Sequence, residues 1–239
     1  MITLPMIGEF LGTFIMMLLG EGVICSVELK QTKSYGTGWM QTATGWAMAI
    51  TLAVYVAGIF GPAHLNPAVS IALAYVGEIS WEQVPPFILA QFLGAMCANV
   101  CVWLHFYPHW KQTTNQDAIL SCFCTAPAIR HTPSNLFGEI LSTSVLIIGV
   151  LCLGPNRLEH GLGPIVIGIL ILVIGLCLGS TTGYAMNPAR DLGPRIMHSL
   201  LPIANKGTSH WEYAWIPVVG PLMGATLGAF LYHSLLMLL

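Results

Sequence analysis

Apolar residues gather in long blocks along this chain, separated by short polar connections. A helix that crosses a bilayer needs about 20 mostly apolar residues. Six blocks meet that length, at residues 4–26, 39–59, 84–106, 135–153, 162–180 and 212–237. Two more apolar stretches, 66–77 and 187–199, are too short to cross. Each opens on the same tripeptide, Asn66-Pro67-Ala68 or Asn187-Pro188-Ala189, and each follows a glycine-containing turn, Phe60-Gly-Pro-Ala-His64 or Thr182-Gly-Tyr184. Asn caps a helix with its side-chain oxygen, and Pro suits the first helical position because no intrahelical partner is needed there. The pattern predicts two half-helices.

Three spans and a half-span, twice over, make an all-α membrane protein of six transmembrane helices plus two half-helices. The halves start alike, Gly8-Glu9-Phe10-Leu11-Gly12-Thr13 against Gly138-Glu139-Ile140-Leu141-Ser142-Thr143. With three spans per repeat the second inserts upside down, and interrupted helices at matching places in an inverted three-plus-three repeat point to a site at the midplane. The whole chain, 1–239, then reads as one transmembrane channel domain: repeat one over 1–106, a polar connection over 107–133, and repeat two over 134–239. Gly220, Gly224 and Gly228 share one face of the last span, and Gly94 with Ala98 repeats the spacing in the third. Small residues so placed admit a neighbouring backbone, although glycine is frequent in membrane helices generally.

Composition agrees, with 55% of the 239 residues hydrophobic and 8% charged, against roughly 25% charged in a soluble domain. A formal net charge of -2 without a basic run argues against nucleic-acid binding, and no Gly-rich phosphate loop follows a strand. The amino terminus lacks the positive region of a signal peptide, so the first block is expected to remain as a helix. Seven cysteines, scattered mostly through apolar blocks, imply no disulfide framework. Cys122-Phe-Cys124 near His131 fits no common zinc spacing. His105 and His109 have the spacing of a metal pair but no third ligand, and Pro108 ends the helix between them. No metal or cofactor is expected, and the 107–133 region reads as a flexible loop with incidental thiols. No nucleophile with a base partner lies in the spans, so no enzyme is expected. Lys30, Lys33, Lys111, Arg130 and Lys206 fall on one side and Arg157 on the other, which by the positive-inside rule alone would put both termini outside.

Each half-helix presents unpaired N–H groups and about half a positive charge at its amino end. Two such ends facing one another repel cations, while the amides of Asn66 and Asn187 can hold the oxygen of a passing hydroxyl or water and interrupt a proton-carrying water wire. The extended residues ahead of them offer backbone from Gly61, Ala63, His64 and Leu65 on one side and Thr182, Gly183, Ala185 and Met186 on the other. A membrane tolerates such backbone only beside a wet cavity or inside protein. Carbonyls on one wall and apolar side chains on the other suit neutral molecules with several hydroxyls. Arg190, inside the membrane region, marks a pathway unless it snorkels to the interface. Asp191 and Arg195, four apart, form a local ion pair. Glu9 and Glu139 read either as proton-coupling carboxylates or as acceptors for loop N–H groups, and their symmetric placement favours loop support. His64 reads as a gate or as a group satisfying loop backbone. The same architecture also suits a proton-coupled or ion-coupled secondary transporter of a small solute.

Gly61-Pro-Ala-His-Leu-Asn-Pro-Ala-Val69 and Gly183-Tyr-Ala-Met-Asn-Pro-Ala-Arg-Asp191, with Glu9-Phe-Leu-Gly-Thr13, resemble the major intrinsic proteins, or aquaporin family, and specifically their aquaglyceroporin or glycerol-facilitator branch. The resemblance covers the whole chain. It implies an aquaporin-like fold and a passive channel for glycerol, water and other small neutral solutes that excludes protons and ions. It implies a homotetramer with one pore per subunit, in the lipid bilayer of the plasma membrane, with both termini cytoplasmic against the charge count. It also places a selectivity filter at Trp46, Gly175, Tyr184 and Arg190, where glycerol facilitators typically carry Trp, Gly, Phe and Arg. Gly175 stands where water-selective members usually have His, and is expected to widen the filter for a carbon chain. Trp46 offers a flat apolar face and Arg190 donates to hydroxyls. Tyr184 departs from the pattern, its hydroxyl either narrowing the filter or adding a hydrogen-bonding edge that bears on urea and protonated short acids.

Overall fold

The computed structural model describes residues 2–237, so residues 1, 238 and 239, the ends of the expected 1–239 unit, lie outside the described residues. The described residues form ten α-helices and no strand. In order they are α1 (Leu4–Glu28), α2 (Trp39–Ala57), α3 (Pro67–Tyr75), α4 (Val84–His105), α5 (Tyr107–Gln112), α6 (Gln116–Ser121), α7 (Thr132–Leu153), α8 (Gly163–Cys177), α9 (Pro188–Leu200) and α10 (Ile216–Leu236). The long apolar blocks become α1, α2, α4, α7, α8 and α10, and the two short ones become α3 and α9.

Two of the six expected spans, α2 and α8, fall short of crossing a membrane by length and apolar composition. Among the described residues four helices are long and apolar enough to cross a membrane by themselves: α1, α4 with its leading turn, α7 and α10. The block at 162–180 yields a helix of only 15 residues, about 22 Å long. Its end is set by packing, because a Cβ on Gly179 would lie 2.3 Å from the Tyr184 ring. There the chain leaves the α-helix for a tighter turn over Gly179–Thr181. The block at 39–59 stops at Ala57, and its polar positions are absorbed locally: the Thr44 and Thr51 hydroxyls donate to the carbonyls of Met40 and Ala47 at 2.8 and 2.9 Å.

Glycine sets how closely the long helices approach. A Cβ on Gly94 of α4 would lie 2.4 Å from the Phe10 carbonyl oxygen of α1, and one on Gly224 of α10 would lie 2.4 Å from that of Ile140 in α7. Phe10 and Ile140 each follow the glutamate that opens the repeated sequence, so one contact occurs twice. Gly220 meets the Glu139 Cβ and Gly228 the Ser144 carbonyl, which identifies α7 as the partner of the glycine face on α10. α2 packs on α8 and joins the halves.

The 107–133 connection is not the loose loop expected. It carries α5 and α6, and Cys122, Phe123 and Cys124 are all fully buried. The two thiols act there as small core groups. Phe123 packs against the Trp110 ring, whose indole N–H donates to the Trp103 carbonyl at 2.9 Å. The Asn205 amide, from the distant 201–215 connection, donates to the Lys111 and Thr113 carbonyls at 3.2 and 3.0 Å.

Candidate functional site

Both half-helices begin as their tripeptides dictate. Asn66 accepts the Ala68 N–H at 2.8 Å, and Asn187 accepts those of Ala189 and Arg190 at 3.0 and 3.2 Å. Each amide NH2 then reaches across to the other loop: Asn66 donates to the Met186 carbonyl and Asn187 to the Leu65 carbonyl, both at 2.8 Å. One donor per Asn is thus spent on holding the half-helix ends together. No second hydrogen bond from either NH2 is made among the described residues.

The loops ahead of the half-helices share an unusual backbone. Ala63 and Leu65 have φ of 57° and 56°, and Tyr184 and Met186 have φ of 37° and 48°. Left-handed non-glycine residues cost about 1–3 kcal/mol each unless their surroundings hold them. Two buried carboxylates supply that hold. Glu9 accepts the His64 and Leu65 N–H groups at 2.6 and 2.7 Å and the Gln91 amide at 2.8 Å. Glu139 accepts the Ala185 and Met186 N–H groups at 3.1 and 2.9 Å and the Thr182 hydroxyl at 2.7 Å. The carbonyls of Ala63, His64, Tyr184 and Ala185 accept no hydrogen bond from the described residues. His64 is buried with Nδ1 on the Ser70 hydroxyl at 3.0 Å, and its edge lies against Phe87.

Two cavities meet in this region. An inner one of about 140 Å³ is lined by Ala63, His64, Leu65, Asn66, Ala185, Met186 and Asn187 on one side, and by Ile50, Val54, Leu146, Val150 and Ile171 on the other. An outer one of about 500 Å³ is lined by Thr42, Asp117, Leu120, Thr125, Ala126, Arg130 and Gly183. Trp46, Tyr184 and Arg190 line both, and so form the collar between them. The Arg190 guanidinium carbon sits 4.4 Å from the Trp46 ring centre, a cation–π contact. One further bond, at 3.5 Å, runs from Arg190 to the Phe123 carbonyl. The buried Tyr184 hydroxyl has no partner among the described residues.

Gly175 does not open free space into the collar. A Cβ there would lie 3.0 Å from Tyr184 Cζ and 3.1 Å from its hydroxyl, so the phenol occupies the room expected to be vacant. Trp39 completes that wall, packing edge-on against Tyr184 and donating to the Gly175 carbonyl at 2.9 Å. Gly61 packs on Pro5 and Thr182 serves Glu139, both away from the inner cavity they were expected to line, while Gly183 faces the outer one.

Asp191 and Arg195 pair at 2.8 Å with no exposure, but their reach is longer than a local ion pair. Asp191 accepts the Thr125 N–H and hydroxyl at 2.7 and 2.6 Å, and Arg195 donates to the Thr125 and Ser209 carbonyls at 2.8 and 2.7 Å. They pin the outer connections over the collar. At the rim, the hydrogen bond from Arg130 holds the Glu212 carboxyl down to about 2, at a contact of 2.7 Å.

The family model for the major intrinsic proteins matches residues 3–232. The chain belongs to the major intrinsic protein family. It is 50% identical over 234 residues to glycerol uptake facilitator protein 3 of Lactiplantibacillus plantarum, covering 98% of both chains. It is 54% identical over 225 residues to the glycerol uptake facilitator protein of Streptococcus pneumoniae, covering 94% of this chain and 96% of that one. The X-ray structure of the aquaglyceroporin from Plasmodium falciparum superposes with a TM-score of 0.86 at 30% identity, over 98% of this chain and 96% of the other. These place it in the aquaglyceroporin branch of the major intrinsic proteins.

Sequence reasoning missed several residues that shape this family member's site. Gln91, fully buried in α4, joins Glu9 to Ser70. A glutamine among Ala, Phe and Leu in a spanning helix was the available signal. Thr125 and Phe123, within a stretch read as loose, carried none.

Proposed function

We propose that this major intrinsic protein is a passive channel for glycerol and water that also admits other small neutral solutes. The observation that carries the reading is the collar of Trp46, Tyr184 and Arg190 shared by the two cavities. One edge of that collar is aromatic and apolar, the other a guanidinium with donors to spare, which matches a solute with a CH face and a hydroxyl face. The relatives' printed names support glycerol as that solute. Asn66 and Asn187, with the two helix amino ends behind them, are the proposed barrier to protons and cations. Ala63, His64, Leu65, Ala185 and Met186 form the polar wall, and Gly175 acts by seating Tyr184. Glu9, holding two loop N–H groups and the Gln91 amide of α4, and Glu139, holding three loop donors, support the loops rather than carry a coupling proton.

The proposal extends to one channel unit of two inverted repeats, assembled as a homotetramer in the plasma membrane with cytoplasmic termini. Exposed Met48 and Leu52 of α2 and Ile165, Ile169 and Val173 of α8 suit lipid or a neighbouring subunit. Stopped-flow swelling of reconstituted vesicles against water, glycerol, urea and a short acid at two pH values tests the function. Glycerol flux independent of any proton gradient is expected, and flux that needs the gradient would replace the channel with a coupled transporter.

A further inference from the structure

Trp39 opens α2 and stands about two turns ahead of Trp46, so the two tryptophans share one face of that helix. Both line the outer cavity, and Trp46 also reaches the inner one. Trp39 thus lies about 10 Å nearer the outer mouth. A tryptophan near a membrane surface commonly turns its indole N–H to headgroups or water. Trp39 instead donates to the Gly175 carbonyl at 2.9 Å, in the last turn of α8, where carbonyls lack helical partners. Gly38, just ahead of it, has φ 88° and ψ −171°, backbone that in practice only glycine adopts. A Cβ on Gly38 would meet nothing within 4 Å, so that glycine serves the turn into Trp39 and not a close contact.

The same indole meets the Tyr184 ring at 78°, with ring centres 5.7 Å apart. Glycines of α8 and the turn after it back the phenol: a Cβ would lie 3.0 Å from it on Gly175 and 2.3 Å on Gly179. Its hydroxyl has no partner among the described residues, so no hydrogen bond fixes the ring. Packing alone does so, and Trp39 supplies the aromatic part of that packing.

We infer that Trp39 is a specificity-determining residue of the collar, a positioning residue that acts through Tyr184. Anchored on α8 by its N–H, it holds the phenol at one setting and so fixes the width left for a solute. Helix α2 then positions two sides of the collar, Arg190 through Trp46 and the phenol through Trp39. Without the indole, the phenol gains room where the indole stood, beside the outer cavity, and the collar widens. The inference rests on the channel reading of the same collar.

The test is stopped-flow swelling of vesicles containing the full chain, with water, glycerol and urea compared. Trp39→Leu removes both the anchor and the aromatic edge. It should raise the glycerol-to-water ratio about threefold or more, the scale of an edge-on aromatic contact. In a Tyr184→Ala background the same change should leave the ratio where Tyr184→Ala alone puts it. A merely structural role would lower both fluxes together at a constant ratio, and that outcome overturns the inference. A shift of equal size in the Tyr184→Ala background also overturns it, because Trp39 would then act on the solute directly. Should Trp39→Leu fail to assemble, Trp39→Phe decides, since it keeps a ring and removes the anchoring N–H: a raised ratio supports the inference and an unchanged one sinks it. Wild-type vesicles that pass water and urea but not glycerol would overturn the solute reading alone, because the urea-to-water ratio carries the same comparison.

Discussion

Tyr184 has the most singular position of any side chain in the collar. Two glycines, Gly175 and Gly179, make room for its ring, Trp39 packs its edge, and its hydroxyl meets no protein partner. Removing that hydroxyl breaks no native bond. Tyr184→Phe should therefore leave assembly intact and change the glycerol-to-water ratio in swelling assays; an unaltered ratio would mean the hydroxyl points away from the solute path. Gly175→His puts a ring into contact with the phenol and drives it toward Arg190. Glycerol flux should fall more than about tenfold and water flux much less, and an equal loss of both would remove Gly175 from the selectivity mechanism. The family resemblance implied that Trp46 and Arg190 lie together, and the two are in contact.

At the scale of elements, the half-helices are where local sequence and tertiary packing agree most closely. Asn at the cap and Pro at the first position start α3 and α9 by rules that need no partner. Their ends are less local. The Lys206 ammonium, six residues beyond α9, donates to the His198 and Ser199 carbonyls at 2.9 Å each. Lys206→Met should cost about 1 kcal/mol, read as a lower midpoint in thermal unfolding in detergent. The connection over 201–215 carries a second electrostatic tie. Glu212 titrates at about 2 against the usual 4.5 because Arg130 favours its charged form. The carboxyl is depressed in the folded state, so the stabilisation is present above the usual value and is lost as pH falls from about 4.5 to about 2. Because the pair is exposed, salt weakens it. Hydrogen exchange in residues 201–215 should quicken over that acid window, more so at low ionic strength, and a flat profile would show that the tie holds nothing.

Over the whole molecule the two repeats do the same work with different residues. Glu9 and Glu139 each hold a left-handed loop, but Gln91 assists the first where Thr182 assists the second. Glu9→Gln and Glu139→Gln each replace an accepting oxygen with an NH2 donor facing backbone N–H donors, so each should destabilise by roughly 2–4 kcal/mol. Markedly unequal shifts in unfolding midpoint would mean that one loop is held by other means. Apolar block length, the repeated tripeptide and the matching glutamates were enough, by themselves, to determine the six long helices, the two half-helices and the family, though not α5 and α6 in the connection. Those features act locally: caps, proline and hydrophobic length have their effect wherever the chain goes. Tertiary structure alone decided that the Asn amides are partly spent on the opposite loop, that α8 stops short for Tyr184, and that the 107–133 connection folds into the core. It also decided that Gly175 borders a phenol rather than open space. Each of these depends on two segments far apart in the chain arriving at one point, and distance in space is what a linear pattern of residues does not carry.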